Sequence, residues 1–353
     1  MSEKTLKIGI IGSGGIAQGQ HIPGYQKVPG VEVIATCDVR EETARAAADK
    51  FKIHHVFTDY KEMLRLKDID AVSVCTPNAF HHDPTVAALS AGKHVLVEKP
   101  IAMNVKQGLS MCKTARKNKK HLAVGLHFRF EPHVLALKRM IDAGEVGFPY
   151  FARAQALRRR GVPSWGVFYS KKMNGGGPLI DIGVHILFAT HYLMGMPRPI
   201  SVSGKAFTLF GNRKDVVPGA WGQWNWKDYD VEDNAFGFVR FENGAVLSLE
   251  SSFIANIPTD IFNLSIFGDK GGVQMEPCSY FGQSNNQLVT IQPNQLPKSE
   301  AHHAEIKAFC DAVRGNGRPG VTGEEALVIT QMLDGIYASS EKGAEVKLDK
   351  LKF

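Results

Sequence analysis

Cysteine is scarce in this chain, and long apolar runs are absent. The 353 residues include five cysteines, and their odd number and wide spacing argue against a disulfide framework or a C-x-x-C metal site. We therefore expect reduced, buried thiols and no metal ion. No apolar run reaches the roughly 18 residues that a membrane-spanning helix needs, which predicts a soluble protein without a membrane partner. The five are Cys37, Cys75, Cys112, Cys278 and Cys310.

A secretory signal is also missing from the first residues. Met1–Lys7 lead almost directly into an apolar strand pattern, Leu6–Ile11. This leaves no room for the charged, apolar and small-residue regions of a signal peptide. The expected compartment is the cytoplasm.

The length and the patterning of the chain predict two domains. A hydrophobic content of 44% over 353 residues is enough for two packed cores. Strand and helix patterns alternate regularly as far as about residue 130, and hairpin signals dominate the chain after one further helix. We therefore predict one domain over residues 1–128 and a second over residues 129–353.

A glycine-rich turn follows the first predicted strand and fits the pattern G-x-G-x-x-A where a strand gives way to a helix. In this pattern Gly12 allows a tight turn, Gly14 lets the backbone approach a pyrophosphate, and the helix N-terminus supplies N–H donors. The turn predicts a dinucleotide-binding domain. The residues expected at the cofactor are Gly12, Ser13, Gly14, Gly15, Ile16 and Ala17.

An acidic residue ends the second predicted strand, Val31–Asp38. It follows the glycine turn by about 20 residues, where a ribose-binding carboxylate belongs. Asp38 would accept hydrogen bonds from the adenosine ribose and repel a 2′-phosphate, which favours NAD over NADP. Arg40 leaves NADP open, because it could pair with a 2′-phosphate or stack on adenine. Its structural alternative is a solvated position at the start of the helix Glu41–Phe51.

The alternation continues and predicts a doubly wound parallel sheet with right-handed crossovers. Ligands of such sheets bind at the carboxyl ends of the strands. Two more loops follow predicted strands there, and His81 at the next helix entrance either touches the nicotinamide side or is solvated. The loop residues expected to face the cofactor are Thr76, Asn78, Glu98, Lys99 and Pro100.

The chain carries an excess of positive charge, with 42 Lys+Arg against 35 Asp+Glu and a net charge of +7. Such an excess favours anionic partners. Because a dinucleotide pyrophosphate is itself anionic, nucleic acid is not needed to explain the charge, and we predict none. The basic run Lys113–Lys120 stands where a helix should end and complements the helix dipole.

Hairpin signals mark the second predicted domain. Asn234–Phe241 and Ala245–Glu250 flank an Asn-Gly turn, and a similar pair surrounds Asp269–Gly271. They predict an α/β domain with a largely antiparallel open sheet. One face of such a sheet can pack on helices while the other meets a second subunit, which predicts a homodimer or homotetramer. The residues suited to burial include Phe236, Phe238, Leu247 and Leu249.

An acid and a histidine stand four residues apart in the otherwise apolar segment Leu179–Leu187, after three glycines and a proline. On an α-helix Asp181 and His185 would share one face. The structural alternative gives Asp181 a capping or dipole role in the first turn and makes His185 a hydrogen-bonded core residue. A metal site is disfavoured, since no third ligand stands out.

Five motifs now stand in order along the chain: G-S-G-G-I-A at Gly12–Ala17, C-D at Cys37–Asp38, C-T-P-N at Cys75–Asn78, V-E-K-P at Val97–Pro100 and G-G-G-P-L-I-D-I-G-V-H at Gly175–His185. Together they resemble the glucose-fructose oxidoreductase, inositol dehydrogenase and rhizopine-catabolism (Gfo/Idh/MocA) family over nearly the whole chain. The resemblance implies a Rossmann domain, an α/β domain with an open sheet, and a nicotinamide cofactor. It also implies a catalytic set matching Lys99, Asp181 and His185.

The activity that this resemblance implies is a dehydrogenase that moves hydride between a carbinol carbon of a sugar, inositol or related polyol and the nicotinamide. Such chemistry needs a base for the hydroxyl proton and a charge that steadies the developing alkoxide. We expect His185 to be the general base, Lys99 to polarise the hydroxyl or relay its proton, and Asp181 to orient His185 or bind the substrate. Which of Lys99 and His185 takes the proton first stays open.

Two residues outside the motifs are further candidates for substrate binding. Arg158, within Arg158–Arg160, could select a carboxylate or phosphate, or lie on the cofactor or a neighbouring subunit. Trp165 could stack on a sugar face, whereas Trp221, Trp224 and Trp226 fit a core or an interface better.

Two other functions use similar parts. One is an NAD-dependent glycosidase working by transient oxidation and elimination, and the other is a non-catalytic dinucleotide-sensing regulator.

Overall fold

The computed structural model describes residues 5–353, which divide into two compact units. The described residues up to Phe130, with Glu300–Leu327 and Phe353, form the first unit. Glu131–Ser299 and Val328–Lys352 form the second. The predicted domains, 1–128 and 129–353, place residues 300–327 in the second domain. In the structure Glu300–Leu327 belongs to the first unit.

Six parallel strands form the sheet of the first unit. They are β1 (Leu6–Ile11), β2 (Val31–Cys37), β3 (His55–Phe57), β4 (Ala71–Val74), β5 (His94–Glu98) and β6 (Leu122–Gly125). Their order is β3-β2-β1-β4-β5-β6, and every neighbouring pair is parallel. This order reverses between β1 and β4, as in doubly wound dinucleotide-binding sheets. The predicted Rossmann sheet is confirmed.

Helices connect these strands. The glycine turn leads into a single π-helical turn, Ala17–His21. One predicted helix is found with the expected bounds, and the basic run indeed closes a helix, with Lys119 in the left-handed conformation after it. The helices are α1 (Ile22–Gln26), α2 (Glu41–Phe51), α3 (Tyr60–Met63), α4 (His82–Ser90) and α5 (Val105–Asn118).

The second unit is built on a nine-stranded sheet. Its strands are β7 (Pro149–Leu157), β8 (Pro199–Phe207), β9 (Asn234–Phe241), β10 (Val246–Ser252), β11 (Ile261–Gly268), β12 (Gly272–Gln274), β13 (Ser279–Ser284), β14 (Gln287–Ile291) and β15 (Val346–Lys347). The order is β14-β13-β12-β11-β7-β10-β9-β8-β15, and β7 with β10 is the parallel pair. The predicted hairpins β9–β10 and β11–β12 and the largely antiparallel sheet are confirmed.

The remaining helices are α6 (Pro132–Asp142), α7 (Lys171–Asn174), α8 (Val184–Leu193), α9 (Ala301–Val313) and α10 (Gly323–Lys342). In the second unit α8 packs on β7 and β11. Small side chains on β7, namely Ala152, Ala154 and Ala156, are fully buried there. At Gly237 a Cβ atom would lie 2.5 Å from Ile336 of α10, so this glycine lets the helix approach β9 closely.

The side chains of this sheet point alternately to its two faces. Phe236 and Phe238 lie on the more exposed face, so the prediction that they are buried is wrong. Leu247 and Leu249 are fully buried. Phe236, which is 40% exposed, pairs with Glu250, and the half-buried Phe238 pairs with Ser248. Because successive strand residues point to opposite faces, these two phenylalanines lie on the face away from Leu247 and Leu249.

All five cysteines are buried and free, which confirms the predicted buried thiols. Over residues 5–353 no helix is long and apolar enough to cross a membrane. Within the same residues no group of three or more His, Cys, Asp or Glu side chains is placed to hold a metal ion.

Candidate active site

Four loops of the first unit lie side by side at the carboxyl edge of its parallel sheet. They follow β2, β1, β4 and β5, which are adjacent and in register at their ends: Ile11 pairs with Cys37 and Val74, and Val74 pairs with Val97. The topology thus brings one group of predicted cofactor residues to one edge. This group comprises Gly12–Ala17, Asp38, Arg40, Thr76, Asn78, Glu98, Lys99 and Pro100.

The glycine turn needs its first glycine and leaves space in front of the next two. Gly12 has φ +88°, and a Cβ atom there would lie 2.7 Å from the carbonyl carbon of Cys75. A Cβ atom on Gly14 or Gly15 would meet nothing within 4 Å. Open space before the start of a helix is what a pyrophosphate requires. The turn therefore fits a dinucleotide.

Asp38 is held at the end of β2 by two backbone N–H groups. Its Oδ2 accepts a hydrogen bond from the N–H of Ser13 (2.9 Å), and its Oδ1 accepts one from Arg40 (3.0 Å). Each carboxylate oxygen retains a second lone pair for a ribose hydroxyl. The side chain of Ser13 is buried, 2.5 Å from the Thr36 hydroxyl, while Arg40 is exposed.

His81 connects two of the loops rather than facing solvent. It is fully buried, with Nδ1 2.7 Å from the carbonyl oxygen of Pro100 and Nε2 2.9 Å from that of Thr76. Burial lowers the pKa of His81, against the smaller opposite effect of the two carbonyl groups. The alternative of a solvated histidine is therefore wrong, and His81 ties the loop after β4 to the loop after β5.

Lys99 directly follows β5 and is half-buried, and its peptide bond to the buried Pro100 is cis. Its backbone N–H donates to Oε2 of the preceding residue, Glu98 (3.2 Å). The other oxygen of Glu98 accepts from Nε2 of His21, at 2.7 Å. Both oxygens of this buried carboxylate thus have partners within the first unit.

His21 is the residue of this site that sequence reasoning missed. It ends the π-helical turn and is buried, with Nδ1 3.0 Å from the hydroxyl of Ser73, which in turn lies 2.7 Å from the hydroxyl of Tyr25. The available signal was its nearness to Ala17, which the motif places against the sheet. His21 lies in the same π-helical turn as Ala17, so the spacing of a regular α-helix did not indicate which side it faces.

Glu98 and His21, the buried titratable pair next to Lys99, have pKa values shifted in opposite directions. Burial would raise the pKa of Glu98, but the hydrogen bond and charge of His21, with Lys99 and His127, lower it to about 2. Burial would lower the pKa of His21, but Cys75 and Glu98 raise it well above its usual value. The thiol of Cys75 is itself held protonated by burial, so Glu98 is the effective partner. His21 and Glu98 form a buried ion pair.

A second buried acid stands near this pair, and no ion pair to it is found within residues 5–353. Burial, with the charge of Glu98, raises the pKa of Glu305 in α9 well above its usual value. The ring of His127 stacks on that of His302 with centroids 3.7 Å apart. Burial and the neighbouring His302 lower the pKa of His127 to about 3. These shifts favour the charged form of Glu98, the protonated form of Glu305 and the neutral form of His127.

In the second unit, Asp181 and His185 are predicted to lie on one helix, but the structure divides this stretch into two helical segments. Leu179–Gly183 is π-helical and α8 begins at Val184, so the face-sharing rule of a regular α-helix does not apply across Asp181. Asp181 is buried and His185 is half-buried.

A buried acid that sequence reasoning missed holds the start of this segment. Oε2 of Glu232 accepts from the N–H of Gly177 (2.9 Å), and Oε1 accepts from Leu179 (3.1 Å) and from the Tyr337 hydroxyl (2.9 Å). Burial raises the pKa of Glu232, and these donors oppose the rise. The donors lie more than 50 residues away on either side, so no local pattern indicated the contact.

Arg158, Trp221 and Trp165 form a row that begins at Asp181, within the second unit. Nη1 of Arg158 is 3.9 Å from Oδ2 of Asp181, and its guanidinium carbon is 3.9 Å from the ring centroid of Trp221. Trp221 stacks on Trp165 at 5.5 Å with an interplanar angle of 14°. Burial lowers the pKa of Arg158, and Asp181 and Asp260 oppose this.

The neighbouring residues of this row have structural partners. Arg159 and Arg160 donate to backbone carbonyls of Pro258 and Ala255 and lie against residues 255–260. Trp224 is buried, and its Nε1 donates to the carbonyl of Gly211 (2.6 Å), as expected of a core residue. Trp165, by contrast, is 55% exposed. Of the candidate substrate residues, Arg158 therefore lies beside Asp181 and Trp165 presents an indole to solvent.

Comparison with known proteins identifies the two parts of the chain. Residues 6–126 match the model of an oxidoreductase family with an NAD-binding Rossmann fold, GFO_IDH_MocA. Residues 138–348 match the model of the C-terminal alpha/beta domain of the same family. Both predicted folds are confirmed by these matches.

Individual relatives extend over the full length. D-glucoside 3-dehydrogenase of Escherichia coli (strain K12) is 39% identical over 349 residues, which cover 99% of each chain. The scyllo-inositol 2-dehydrogenase (NAD(+)) of Bacillus subtilis (strain 168) is 26% identical over 358 residues, covering 98% of this chain and 97% of the relative.

Solved structures share the fold. An oxidoreductase domain protein from Kribbella flavida superposes with a TM-score of 0.85 at 24% identity, and levoglucosan dehydrogenase in complex with NADH does so with 0.85 at 22%. Each match covers 98% of this chain and 100% of the other. At these identities the likeness shows the fold alone. The family models and the full-length relatives together show that the chain belongs to the Gfo/Idh/MocA family of oxidoreductases.

Proposed function

We propose that this protein is an NAD-dependent dehydrogenase that oxidises a hydroxyl group of a sugar, inositol or related polyol, with glucosides as its preferred substrates. The carrying observation is Lys99, a half-buried lysine at the same sheet edge as a glycine turn that fits a pyrophosphate. The full-length relatives named as a glucoside dehydrogenase and an inositol dehydrogenase support the reaction class. The first of these names also supports a glucoside as substrate.

The first unit would bind the cofactor along the sheet edge. The glycine turn takes the pyrophosphate, and Asp38 takes the adenosine ribose. The loops after β4 and β5, with Thr76, Asn78 and Lys99, are assigned to the nicotinamide half. Bound NAD supplies the hydride acceptor of the reaction. A negative charge at Asp38 disfavours the 2′-phosphate of NADP, so we assign NAD as the working cofactor.

Replacing the charge at Asp38 should weaken this cofactor preference. Asp38→Asn keeps a carbonyl oxygen that can accept from Ser13 but removes the repulsion of a 2′-phosphate. We expect the ratio of kcat/KM for NAD to that for NADP to fall about tenfold, a change of roughly 1.4 kcal/mol. Asp49→Asn, on the exposed side of α2, should leave the ratio unchanged. An unaltered ratio in Asp38→Asn would contradict the assignment.

The residues proposed for catalysis are Lys99, Asp181 and His185. As the carbinol carbon releases hydride to the cofactor, the hydroxyl oxygen releases its proton and a carbonyl product forms. Lys99 polarises that oxygen or relays its proton, and His185 accepts the proton as general base. Asp181 orients His185 or binds the substrate. The assignment rests on the chemistry of the three side chains and on the motifs that carry them.

Removal of Lys99 should separate chemistry from cofactor binding. Lys99→Ala should lower kcat for a glucoside roughly 10²- to 10⁴-fold, while the Kd of NADH, from fluorescence titration, changes less than about threefold. The assay follows nicotinamide absorbance with a panel of glucosides, free sugars and inositols. The matched control is Lys106→Ala, an exposed lysine of α5 in the same unit.

Two results would contradict this proposal. Turnover of Lys99→Ala at the rate of the unaltered protein would remove the lysine from the mechanism. Glycoside cleavage without net NADH formation would instead indicate transient oxidation followed by elimination.

The row formed by Arg158, Trp221 and Trp165 is assigned to substrate recognition. Its inner end is beside Asp181, and its outer end presents an exposed indole. Aromatic faces stack well on the C–H faces of sugars and on aromatic groups. We propose that Arg158 donates to substrate hydroxyls and that Trp165 contacts the aglycone of a glucoside.

The change Trp165→Ala should therefore discriminate between substrates. For a glucoside with an aromatic or sugar aglycone, KM should rise about 2- to 10-fold, the size of one stacking contact, with kcat nearly constant. For free glucose KM should stay within about twofold. Trp226→Ala, a tryptophan outside the row, serves as the control. An equal rise of KM for both substrate types would argue against an aglycone contact.

We also infer a homo-oligomer formed through the face of the second unit's sheet that helices leave open. The exposed face carries Phe236, Phe267 and Phe281, each 40–45% exposed, with Arg153 bonded to Glu250 among them. Exposed aromatic patches on a regular sheet mark association surfaces. The free cysteines further support a reducing, cytoplasmic location, which cell fractionation would test.

A charge on this face should disrupt the oligomer. Phe267 lies opposite Phe151 on the neighbouring strand, with ring centroids 5.3 Å apart. The variant Phe267→Asp should shift the protein toward the monomer, as measured by light scattering coupled to size exclusion. Val217→Asp, which replaces an exposed apolar residue of a loop, should not. A monomeric unaltered protein, or an unchanged mass for Phe267→Asp, would contradict the proposal.

A further inference from the structure

A chain of buried polar groups runs from α1 to the backbone of Lys99. The hydroxyls of Tyr25 and Ser73 are 2.7 Å apart, Ser73 is 3.0 Å from Nδ1 of His21, and Nε2 of His21 is 2.7 Å from Glu98. The second oxygen of Glu98 accepts from the N–H of Lys99. Each link is a side chain that is buried in the first unit.

The backbone around Glu98 leaves little freedom for its carboxylate. A Cβ atom on Gly125, the neighbour of Glu98 in β6, would lie 3.0 Å from Oε1 and 3.2 Å from Oε2. The absence of a side chain at Gly125 therefore provides the space that the carboxylate occupies. His21 on one side and the backbone of Gly125 on the other fix the position of the Glu98 carboxylate. From this position the carboxylate accepts the hydrogen bond of the Lys99 N–H.

We propose that His21 is a positioning residue for the reaction, acting through Glu98 on the geometry and surroundings of Lys99. The inference deepens the proposed function and rests on the assignment of Lys99 as a catalytic residue. His21 itself is buried within the first unit and is assigned no contact with the substrate. Its effect passes through two hydrogen bonds, His21 to Glu98 and Lys99 to Glu98.

Stability alone is a weak explanation for this pair. Removing two charges from water costs several kcal/mol per ion, and apolar replacements of buried ion pairs are often neutral or stabilising. A buried pair next to a candidate catalytic lysine has another consequence. Without His21, Glu98 would either take up a proton or leave a negative charge without this partner beside the backbone of Lys99. The charge of His21 keeps Glu98 ionised and balances it.

The surrounding groups decide how Glu98 titrates. Those that act on it are His21, Lys99 and His127, each of which lowers its pKa, against burial, which raises it. Glu305 of α9 and Cys75 also face the pair, and burial raises the pKa of both. Since the pKa of Glu98 is held at about 2, its carboxylate stays charged throughout the pH range of an enzyme assay.

The variant His21→Gln tests the proposal by pH profile. It offers an amide N–H to Glu98 but no charge, so burial should raise the pKa of Glu98. Glu98 then protonates as the pH falls, and kcat/KM should acquire an acidic limb that the unaltered enzyme lacks. At pH 7 kcat should fall about 10- to 100-fold, the cost of a misplaced catalytic group. The Kd of NADH should change less than about threefold.

The variant Glu98→Gln and the double variant complete the experiment. Glu98→Gln has no carboxylate to titrate, so its kcat should be low and free of the new acidic limb. The double variant should match Glu98→Gln, because the two residues act in series. It also buries a neutral pair, which keeps the test valid where His21→Gln alone is too unstable to purify.

The control is His94→Gln, at the opposite end of β5, where Nδ1 of the histidine accepts from the backbone N–H of His121 at 3.1 Å. It should show the profile of the unaltered enzyme. An unchanged profile and kcat in His21→Gln, or additive losses in the double variant, would overturn the positioning role. A fully active Lys99→Ala would instead overturn the proposed function, so the two failures are distinguishable.

Discussion

The close approach of two backbones, at Gly12 and Cys75, is the constraint on which the candidate site of the first unit depends. A Cβ atom at Gly12 would lie 2.7 Å from the backbone of Cys75. A larger residue would therefore push apart the loops that follow β1 and β4, which flank the switch in strand order. Ligands of doubly wound sheets bind at this switch. The two loops lie this close because Gly12 has no side chain.

Buried carboxylates arrange the backbone beside the candidate catalytic residues of both units. In the first, Glu98 binds the N–H of Lys99, and in the second, Glu232 binds the N–H groups at the start of the segment that carries Asp181. Their charge states differ for a physical reason. Glu98 has the imidazolium of His21 and a pKa of about 2, whereas burial dominates at Glu232 and raises its pKa. A buried acid remains ionised where a cation faces it.

The proposed specificity likewise depends on side chains that are distant in sequence. Arg158 follows β7, while Trp221 stands in a loop between β8 and β9, yet the guanidinium stacks on the indole at 3.9 Å. This contact extends the surroundings of Asp181 to an exposed aromatic surface at Trp165. If Arg158 binds substrate hydroxyls as proposed, the stacked indoles beyond it would suit a glycoside better than a free polyol, which has no second group to stack.

The local pattern of the sequence was sufficient for the parallel sheet, the glycine turn, the hairpins and the place of Lys99 at the end of β5, because each depends on neighbouring residues and on strand or helix periodicity. Tertiary structure alone decided the partners. His21 meets Glu98 across 77 residues, Glu232 meets Gly177 across 55, and β7 pairs in parallel with β10. It also decided that Phe236 faces outward, since both faces of a strand of apolar residues look alike until a helix covers one of them. Periodicity specifies an element, whereas burial and charge compensation depend on what the fold brings next to it.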